Sequence, residues 1–407
     1  MSNHPKFTAM ASAAIHAAQA NMAQNAHLTP VFATSTFTFD SAQQGMDRFK
    51  GTEPGYIYSR FGNPTVTVAE ELIAALEAFD IFTEDGQPLQ LKALLHASGQ
   101  SAMATLFLSN VVAGDTVLTH YSLYGGTHEF LFDFLPSFGV KAQIVDLHDL
   151  ALVTSLLQQD PSIKMIHIES PANPSMRCVN IGAICKIAAA YKVKVSVDNT
   201  FATPYLQQPF RYGADFVFHS TTKFLNGHGT AIGGVLIGKD LPHMKTKVNK
   251  TAKLLGGCAN PFDTFLLIQG IKTLELRMKQ HCSNALQVAE FLHAHPAVAR
   301  VNYNGLPVHP DYELSARQMR YPGAVMSFEL TAGFDAAVQF IDRLQMCLRA
   351  VSVGTVDTLI SHPASMTHSG MKKEDREKAG IGDGLIRMSV GLESVEDILA
   401  DLEQALG

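Results

Sequence analysis

The sequence predicts an α/β protein in which a mostly parallel, seven-stranded sheet is preceded by an extended N-terminal arm and followed by a smaller α+β domain. Three observations support this fold class. Short β-branched runs alternate with segments whose apolar residues recur every three or four positions, which is typical of a parallel sheet covered by helices on both faces. Residues 1–65 instead contain polar and Gly- and Pro-rich stretches, and helical patterns dominate after residue 261. We therefore divide the chain into residues 1–65, 66–261 and 262–407.

Each element follows from a local pattern. The strand candidates of the sheet are Lys92–Ser98, Asp115–His120, Lys141–Leu147, Lys164–Ser170, Lys194–Asn199, Ala214–Ser220 and Gly233–Gly238. The helix candidates between them include Ser101–Val112, Asp149–Gln159 and Ile181–Lys192. For the C-terminal domain we expect one long helical segment from about Phe262 to His295, broken only weakly by Gly270. It is followed by strands Ala297–Tyr303 and Ala324–Leu330 and helices Phe334–Gln345 and Ser394–Leu406.

Composition narrows the class of protein. The 407 residues are 46% hydrophobic and 17% charged, so the chain can bury a large core and does not resemble a disordered protein. Lys and Arg total 31 against 37 Asp and Glu, and no basic block is present, so nucleic acid is not an expected partner. Five scattered cysteines without a C-x-x-C pair indicate buried free thiols in a reducing cytoplasm. We expect neither export nor a membrane anchor.

The densest polar cluster follows the sixth strand candidate. It comprises Ser220, Thr221, Thr222 and Lys223, with a glycine-rich stretch at 227–234 after it. A lysine at a strand end, beside hydroxyls and glycines, is suited to bind a carbonyl group covalently while hydroxyl and N–H groups hold a phosphate. An isolated lysine in a loop is usually a solvated surface charge, so the neighbouring segments must decide between the two interpretations.

Three further segments lie at strand ends or helix starts. Asp198 ends an apolar strand, where a buried carboxylate is costly unless it faces a cation such as a protonated pyridine nitrogen; capping of the next turn is an equally good interpretation. Gly99 and Gln100 lie between a strand and a helix, where free N–H groups favour an anion. Tyr124 can stack on a heteroaromatic ring, although a tyrosine at a helix start more often only packs.

In this order and at this spacing, these segments resemble the Cys/Met-metabolism family of pyridoxal-phosphate enzymes. That family includes methionine γ-lyases, cystathionine γ-lyases and synthases, and O-acylhomoserine sulfhydrylases. The resemblance runs over nearly the whole chain and is most specific in the blocks Tyr58–Thr65, Glu169–Pro174, Val197–Thr200, Ser220–Lys223, His362–His368 and Leu385–Gly391. It implies the fold-type-I architecture, pyridoxal 5'-phosphate as cofactor and a small amino acid as substrate.

The resemblance also implies a role for each site residue. Lys223 would carry the cofactor and then move protons between substrate carbons, and Asp198 would keep the pyridine nitrogen protonated. Tyr124 would stack on the ring and act as the acid for the group that leaves Cγ. The residues implied to bind the cofactor phosphate are Gly99, Gln100, Ser220 and Thr222, and Asn173 would contact its 3-oxygen.

Two residues of the arm are implied to act in the neighbouring subunit. Tyr58 and Arg60 would reach the phosphate there, with Tyr58 also next to the substrate, so that the dimer is the smallest active unit and dimers pair into a tetramer. Without the resemblance, both would be interpreted as exposed residues of a surface loop. Arg387, assisted by Ser352, would bind the substrate α-carboxylate with its planar fork.

The family's reactions separate at a few positions. Methionine γ-lyases usually have a Cys two residues after the stacking tyrosine and a Lys-Asp pair further on, where this chain has Gly126 and Thr251–Leu255. Gln100 looks more like an O-acetylhomoserine sulfhydrylase, whereas the blocks around Tyr58 and Met366 look more like a γ-lyase. We expect γ-elimination on a methionine- or homoserine-type amino acid, releasing 2-oxobutyrate and ammonia. The alternative is γ-replacement, by an O-acetyl- or O-succinylhomoserine sulfhydrylase or a cystathionine γ-synthase.

The remaining histidines and the stretch 82–91 do not predict a functional site. His228, His362 and His368 lack carboxylate or Cys partners at ligand spacing, so we interpret them as structural and expect no metal. The stretch 82–91 fits neither branch of the family and predicts no function. A catalytically silent relative that acts as a binding protein is the alternative from another class, and the presence of the complete catalytic set argues against it.

Overall fold

A seven-stranded sheet forms the centre of the larger domain in the computed structural model, which describes residues 7–18, 25–366, 369, 373–378 and 380–407. Its strands are β1 (Lys92–His96), β2 (Thr116–Thr119), β3 (Lys141–Ile144), β4 (Ile163–Glu169), β5 (Lys194–Asp198), β6 (Phe216–His219) and β7 (Gly234–Gly238). They lie in the order β1-β7-β6-β5-β4-β2-β3, and only β7 runs against its neighbours within the described residues. The predicted mostly parallel α/β sheet is confirmed.

Both faces of the sheet are buried. Neighbouring strand residues enter different cores: Val117 packs with Phe107 and Leu131 on one side, and Leu118 packs with Ile166 on the other. The burial of both faces explains why the strands are continuous apolar runs rather than alternating ones. It also leaves the strand ends as the place where polar side chains can meet.

Helices cover the sheets and link the domains. They are α1 (Met10–His16), α2 (Ala42–Lys50), α3 (Pro64–Glu77), α4 (Gly99–Asn110), α5 (Gly125–Glu129), α6 (Leu150–Gln159), α7 (Ile181–Ala190), α8 (Thr203–Leu206), α9 (Leu241–His243), α10 (Asn249–Leu255), α11 (Pro261–Ile271), α12 (Leu274–Ala294), α13 (Tyr312–Gln318), α14 (Gly333–Arg343), α15 (Lys373–Lys378) and α16 (Val395–Leu406). None of those in the described ranges is long and apolar enough to cross a membrane.

The prediction of one long helix over 262–295 is wrong, because α11 ends at Ile271 and α12 begins at Leu274. The carbonyl of Gly270 accepts the N–H of Thr273 at 3.2 Å and Nη2 of Arg277 at 2.8 Å, which closes the helix there. A side chain at Gly270 would also collide with the backbone of the loop after β6, since its Cβ would lie 2.0 Å from the carbonyl oxygen of Asn226. The absence of a side chain at Gly270 therefore lets the end of α11 pack directly against that loop.

The C-terminal domain contains a second sheet with the order β10-β11-β12-β9-β8. Its strands are β8 (Val298–Asn302), β9 (Val325–Leu330), β10 (Leu348–Arg349), β11 (Leu359–Ser361) and β12 (Leu385–Ser389). The sequence predicted only the first two of these strands. The other three are short, and β12 carries a buried arginine, so neither alternation nor a long apolar run marks them.

The N-terminal arm packs against the rest of the chain. Helix α1 contacts α3 and α12 and buries Met10, Ala13 and Ala14 in the main core. Further on, the hydroxyl of Thr65 donates to the carbonyl of Pro30 at 2.8 Å and accepts the N–H of Phe32 at 2.9 Å. These bonds fix the extended part of the arm beside the start of α3.

Two smaller predictions have defined outcomes. All five cysteines are free, but Cys258 is exposed, so the expectation that every thiol is buried is wrong at that position. It lies in the turn between α10 and α11, which runs along the surface and pairs with His96 at the end of β1. The stretch 82–91 forms a small hairpin in which Thr83 donates its N–H to the carbonyl of Gln87 at 2.8 Å.

Candidate active site

A cleft of about 280 Å³ opens at the carboxyl ends of β4, β5 and β6. It is lined by most of the residues that the sequence predicted for the site, namely Gly99, Gln100, Tyr124, Asn173, Asp198, Ser220, Thr222, Lys223 and Arg387. All but Arg387 belong to the segment 66–261, and Arg387 comes from the C-terminal domain. The C-terminal domain therefore covers the cleft at the edge of the seven-stranded sheet.

Lys223 lies in the loop that follows β6 and is partly buried. Its Nζ donates to Oγ of Ser352 at 2.8 Å. Burial lowers the pKa of Lys223, and the positive charge of Arg387 lowers it further. Both effects favour the neutral amine, which is the form that attacks a carbonyl and accepts a proton. The sequence predicted that Ser352 assists Arg387, but in the structure its hydroxyl accepts the hydrogen bond from Lys223.

Arg387 occupies the middle of β12, with 9% of its surface exposed. Its Nη2 donates to the backbone carbonyl of Val351 at 2.6 Å and, more weakly, to that of Ser352 at 3.4 Å. Burial lowers its pKa to about 10, so it remains charged at neutral pH. Among the described residues it has no carboxylate partner, although it lines the cleft. A buried cation of this kind is suited to bind an anion that enters from outside.

An anion cradle lies at the opposite end, where α4 begins. The Ser98 side chain caps the helix by accepting the N–H of Ser101 at 3.1 Å, and Gly99 is the first helical residue. Gly99 packs closely on Ser220, because a Cβ there would lie 3.3 Å from the serine Oγ. Oγ1 of Thr222 accepts the N–H of Gly233 at 3.0 Å, which fixes its hydroxyl at the same edge. Free N–H groups, the helix dipole and two hydroxyls suit a phosphate.

Asp198 is the last residue of β5 and lines the cleft. Its Oδ1 accepts the N–H of Thr200 at 3.0 Å, so the capping interpretation is also correct. Burial raises the pKa of Asp198, and the hydrogen bonds from Thr200, followed by the nearby His219, oppose that rise. A protonated ring nitrogen beside this carboxylate would supply the cation that burial demands.

Glu169 is a site residue to which the sequence analysis gave no role. It ends β4 and lies in register with Asp198 on the neighbouring strand. Its Oε2 accepts the N–H of Tyr124 at 2.7 Å, and its Oε1 accepts the N–H of Asn173 at 3.1 Å. The available signal was a carboxylate at the end of an apolar strand, the same signal that identified Asp198 one strand later.

Tyr124 and Asn173 leave groups free for a ligand. The tyrosine ring is 53% exposed at the cleft, so one face is available for stacking. Oδ1 of Asn173 is buried without a hydrogen-bond partner in the described structure. A buried amide oxygen of this kind requires a donor. This orphaned atom, the anion cradle and the carboxylate of Asp198 together fit pyridoxal phosphate.

Tyr58 and Arg60 do not line this cleft. Nη1 of Arg60 donates to the backbone carbonyl of Lys253 at 2.7 Å, and its guanidinium lies 4.6 Å from the centroid of the Phe61 ring. Tyr58 is 42% exposed beside the same ring. Their predicted contribution to a neighbouring subunit stays a prediction.

The predicted structural histidines take part in ordinary hydrogen bonds. Nδ1 of His228 lies 2.8 Å from the carbonyl oxygen of Asn226, and Nδ1 of His362 lies 2.9 Å from Oγ of Ser365. His368 lies outside the described residues. Within those residues no group of three His, Cys, Asp or Glu side chains is arranged to hold a metal ion.

Comparisons with known proteins agree with this geometry. The family of Cys/Met metabolism PLP-dependent enzymes matches residues 11–407. The chain is 44% identical to an L-methionine γ-lyase of Fusobacterium nucleatum subsp. polymorphum over 98% of either sequence. It is 40% identical to an O-succinylhomoserine sulfhydrylase of Pseudomonas aeruginosa, covering 97% of this chain and 94% of that one.

Solved structures show the same architecture. The crystal structure of cystathionine γ-synthase from Xanthomonas oryzae pv. oryzae superposes with a TM-score of 0.88 at 35% identity, covering 98% of this chain and 97% of that one. Cystathionine γ-lyase from Lactobacillus plantarum gives 0.87 at 35% identity, with 98% of each chain covered. The predicted fold-type-I architecture and cofactor class are confirmed. This chain belongs to the Cys/Met-metabolism family of pyridoxal-phosphate-dependent enzymes.

Proposed function

We propose that this enzyme catalyses γ-elimination from a methionine- or homoserine-type sulfur amino acid and releases 2-oxobutyrate and ammonia. One observation carries the proposal: a lysine whose pKa is lowered lies in a cleft between an anion cradle and a buried arginine that has no carboxylate partner in the described structure. One end suits the cofactor phosphate and the other suits the substrate carboxylate. Relatives such as the methionine γ-lyase of Fusobacterium nucleatum support elimination.

The segment 66–261 would bind pyridoxal 5'-phosphate. Its phosphate would be held by Gly99, Gln100, Ser220 and Thr222, its 3-oxygen by Asn173, its ring nitrogen by Asp198 and its ring face by Tyr124. When bound, the cofactor supplies a conjugated ring that accepts electrons from the substrate's Cα. The protein's own contribution is binding, orientation and proton transfer.

Lys223 and Tyr124 would move the protons. The lysine amine would take a proton from Cα, release it to C4′ of the bound cofactor and, as a free base again, take a proton from Cβ; its lowered pKa increases the fraction of the basic form. The tyrosine lines the cleft together with the arginine and donates a proton to the sulfur that leaves Cγ. Proton donation at that atom lowers the barrier because a thiol is a better leaving group than a thiolate.

Arg387 would bind the substrate α-carboxylate through the guanidinium N–H groups that do not donate to the carbonyl of Val351. The walls beside it are apolar and include Ile232, Val351 and Val353. Such walls favour a thioether or acyl side chain over a charged one. The geometry thus supports a short amino acid with a neutral γ-substituent.

γ-Replacement is the second candidate, and one sequence difference favours it: this chain has Gly126 where methionine γ-lyases usually have a Cys. The ring of Tyr124 packs against this glycine, since a Cβ at this position would lie 2.7 Å from Cε1 of the tyrosine. The 40% identity with an O-succinylhomoserine sulfhydrylase is consistent with this alternative.

The assay that separates the reactions uses the purified enzyme with methionine, homocysteine and O-acetylhomoserine, each with and without sulfide. Elimination predicts abundant 2-oxobutyrate from at least one substrate in the absence of sulfide. Homocysteine formed only from O-acetylhomoserine and sulfide, without 2-oxobutyrate, would show that the enzyme is a sulfhydrylase. A colourless protein that forms neither product would support a binding protein.

The active unit would be a cytoplasmic homodimer, with dimers paired into a tetramer, in which Tyr58 and Arg60 complete the partner's phosphate site. Mixed oligomers of Arg60→Ala and Lys223→Ala subunits test this arrangement. Shared sites predict recovery of about a quarter of wild-type activity, because half of the random dimers are mixed and each of these has one intact site. No recovery would place Arg60 in the site of its own subunit, and full activity of Arg60→Ala alone would remove it from the site.

A further inference from the structure

Glu169 connects the two loops that frame the cleft. One carboxylate oxygen accepts the N–H of Tyr124 at 2.7 Å, and the other accepts the N–H of Asn173 at 3.1 Å. The side chain lines the cleft, and the residue is only 6% exposed. The same group therefore fixes the turn that presents the stacking ring and the turn that presents the orphaned amide oxygen.

The charges around Glu169 are unbalanced. Burial, and then the negative charge of Asp198 on the neighbouring strand, raise the pKa of Glu169 to about 8. Nε2 of His120 accepts the backbone N–H of Glu169 at 3.0 Å, and burial lowers the pKa of this histidine to about 4, so it brings no positive charge near neutral pH. Lys223 and Arg387 are the basic side chains that line the same cleft in the described structure, and of these only the arginine is firmly charged.

A cation placed beside Asp198 would relieve this imbalance. It would offset the repulsion that Asp198 exerts on Glu169, so the carboxylate form of Glu169 would become more stable. By linkage, the ionised Glu169 would stabilise that cation to the same extent. The protonated ring nitrogen of the cofactor is the cation that Asp198 would hold.

We propose that Glu169 is a positioning residue: its carboxylate sets the Tyr124 and Asn173 turns together and, beside Asp198, favours the protonated form of the bound cofactor. The inference rests on the proposed function only in requiring that the cleft hold pyridoxal phosphate. It does not depend on which sulfur amino acid is the substrate or on whether elimination or replacement follows.

Glu169→Gln removes the charge and one of the two bonds. A carboxylate accepts through both oxygens, whereas an amide accepts through one and presents its NH₂ group to the remaining N–H. Glu169→Asp keeps the charge on a shorter side chain. The matched control is Glu70→Gln, because Glu70 is a partly buried carboxylate that also accepts a backbone N–H, from Leu95 at 2.9 Å, but it pairs with Lys92 away from the cleft.

The experiment is a pH titration of the visible absorbance and circular dichroism of the bound cofactor in each purified holoenzyme. Loss of a neighbouring negative charge destabilises a cation, so Glu169→Gln is expected to lower the pH midpoint of the cofactor band by about one unit. Its circular dichroism should also weaken, because the ring of Tyr124 is no longer held in place. Glu70→Gln should leave both signals unchanged even if it lowers the melting temperature.

A wild-type midpoint in Glu169→Gln would overturn the proposal, and so would an equal shift in Glu70→Gln. If Glu169→Gln binds no cofactor, Glu169→Asp provides the test, because it keeps the negative charge. A pH midpoint of the Glu169→Asp cofactor band near the wild-type value, with reduced circular dichroism, supports the proposal. A fall of that midpoint by about one unit contradicts it. Absence of any cofactor band in the wild-type protein would instead refute the proposed function.

Discussion

Replacing Arg387 by alanine tests how the site recognises its substrate. The guanidinium is buried, is held from behind by the carbonyl of Val351 at 2.6 Å and has no carboxylate partner among the described residues. Truncating one partner of a buried charge pair costs about 2–5 kcal/mol. At about 1.4 kcal/mol per tenfold change, KM for the amino acid should rise between about 30-fold and several thousandfold.

The same substitution should change the pH dependence of kcat. The positive charge of Arg387 contributes, after burial, to the lowered pKa of Lys223. Without that charge the pKa of the lysine rises, so the amine stays protonated to a higher pH. Because catalysis requires the neutral amine as base, the acidic limb of the pH–rate profile should move to higher pH.

The assay measures kcat and KM by 2-oxobutyrate release and cofactor affinity by absorbance in the same preparation. Arg349→Ala is the matched control, since Arg349 also donates to backbone carbonyls, those of Ile341 at 3.4 Å and Asp342 at 3.1 Å, but lies exposed on β10. An unchanged KM for Arg387→Ala, or an equal loss of cofactor and substrate affinity, would refute the assignment of the carboxylate site.

Two further substitutions test the environment of the site. Gly126→Ala should lower kcat by about tenfold, because the new Cβ displaces the ring of Tyr124. Gly125→Ala should leave kcat unchanged, because a Cβ at Gly125 would meet no atom within 4 Å. An equal loss of kcat in the two variants would contradict the reasoning. Glu77→Gln should cost about 1–3 kcal/mol of unfolding free energy, the cost of disturbing a buried hydrogen bond, measured by urea denaturation of the cofactor-free protein. The reason is that Glu77 lies 2.5 Å from Nε2 of His219 and both side chains are fully buried, so an unchanged denaturation midpoint would argue against a stabilising pair.

Much of the fold and the site could be predicted because polar residues at the ends of buried strands have few structural explanations. Lys223 and Asp198 follow apolar runs whose burial on both faces leaves only the strand end for a charge. Parallel strands bring such ends to one edge of the sheet, so residues distant in sequence meet there. The resemblance to the family then supplied the individual roles.

Contacts between the domains could not be predicted. Ser352 was expected to serve the substrate, but its hydroxyl holds Lys223, which depends on how the C-terminal domain packs over the sheet. The position of Glu169 at a strand end marks it as a candidate, but its partners are backbone N–H groups of two distant turns, so no side-chain pattern reveals its role. The end of α11 likewise depends on a long-range contact, because Nη2 of Arg277 on the next helix donates to the carbonyl of Gly270 while that glycine packs against the backbone of Asn226.

The most direct test of the account is to locate the cofactor on the chain. The purified enzyme is treated with borohydride, which reduces the bond between lysine and cofactor, and the digested protein is analysed by mass spectrometry. We expect bleaching of the visible band and a pyridoxyl group on Lys223 alone. A modified lysine elsewhere, or no modification of a protein that absorbs in the visible range, would contradict the assignment of this cleft as the active site.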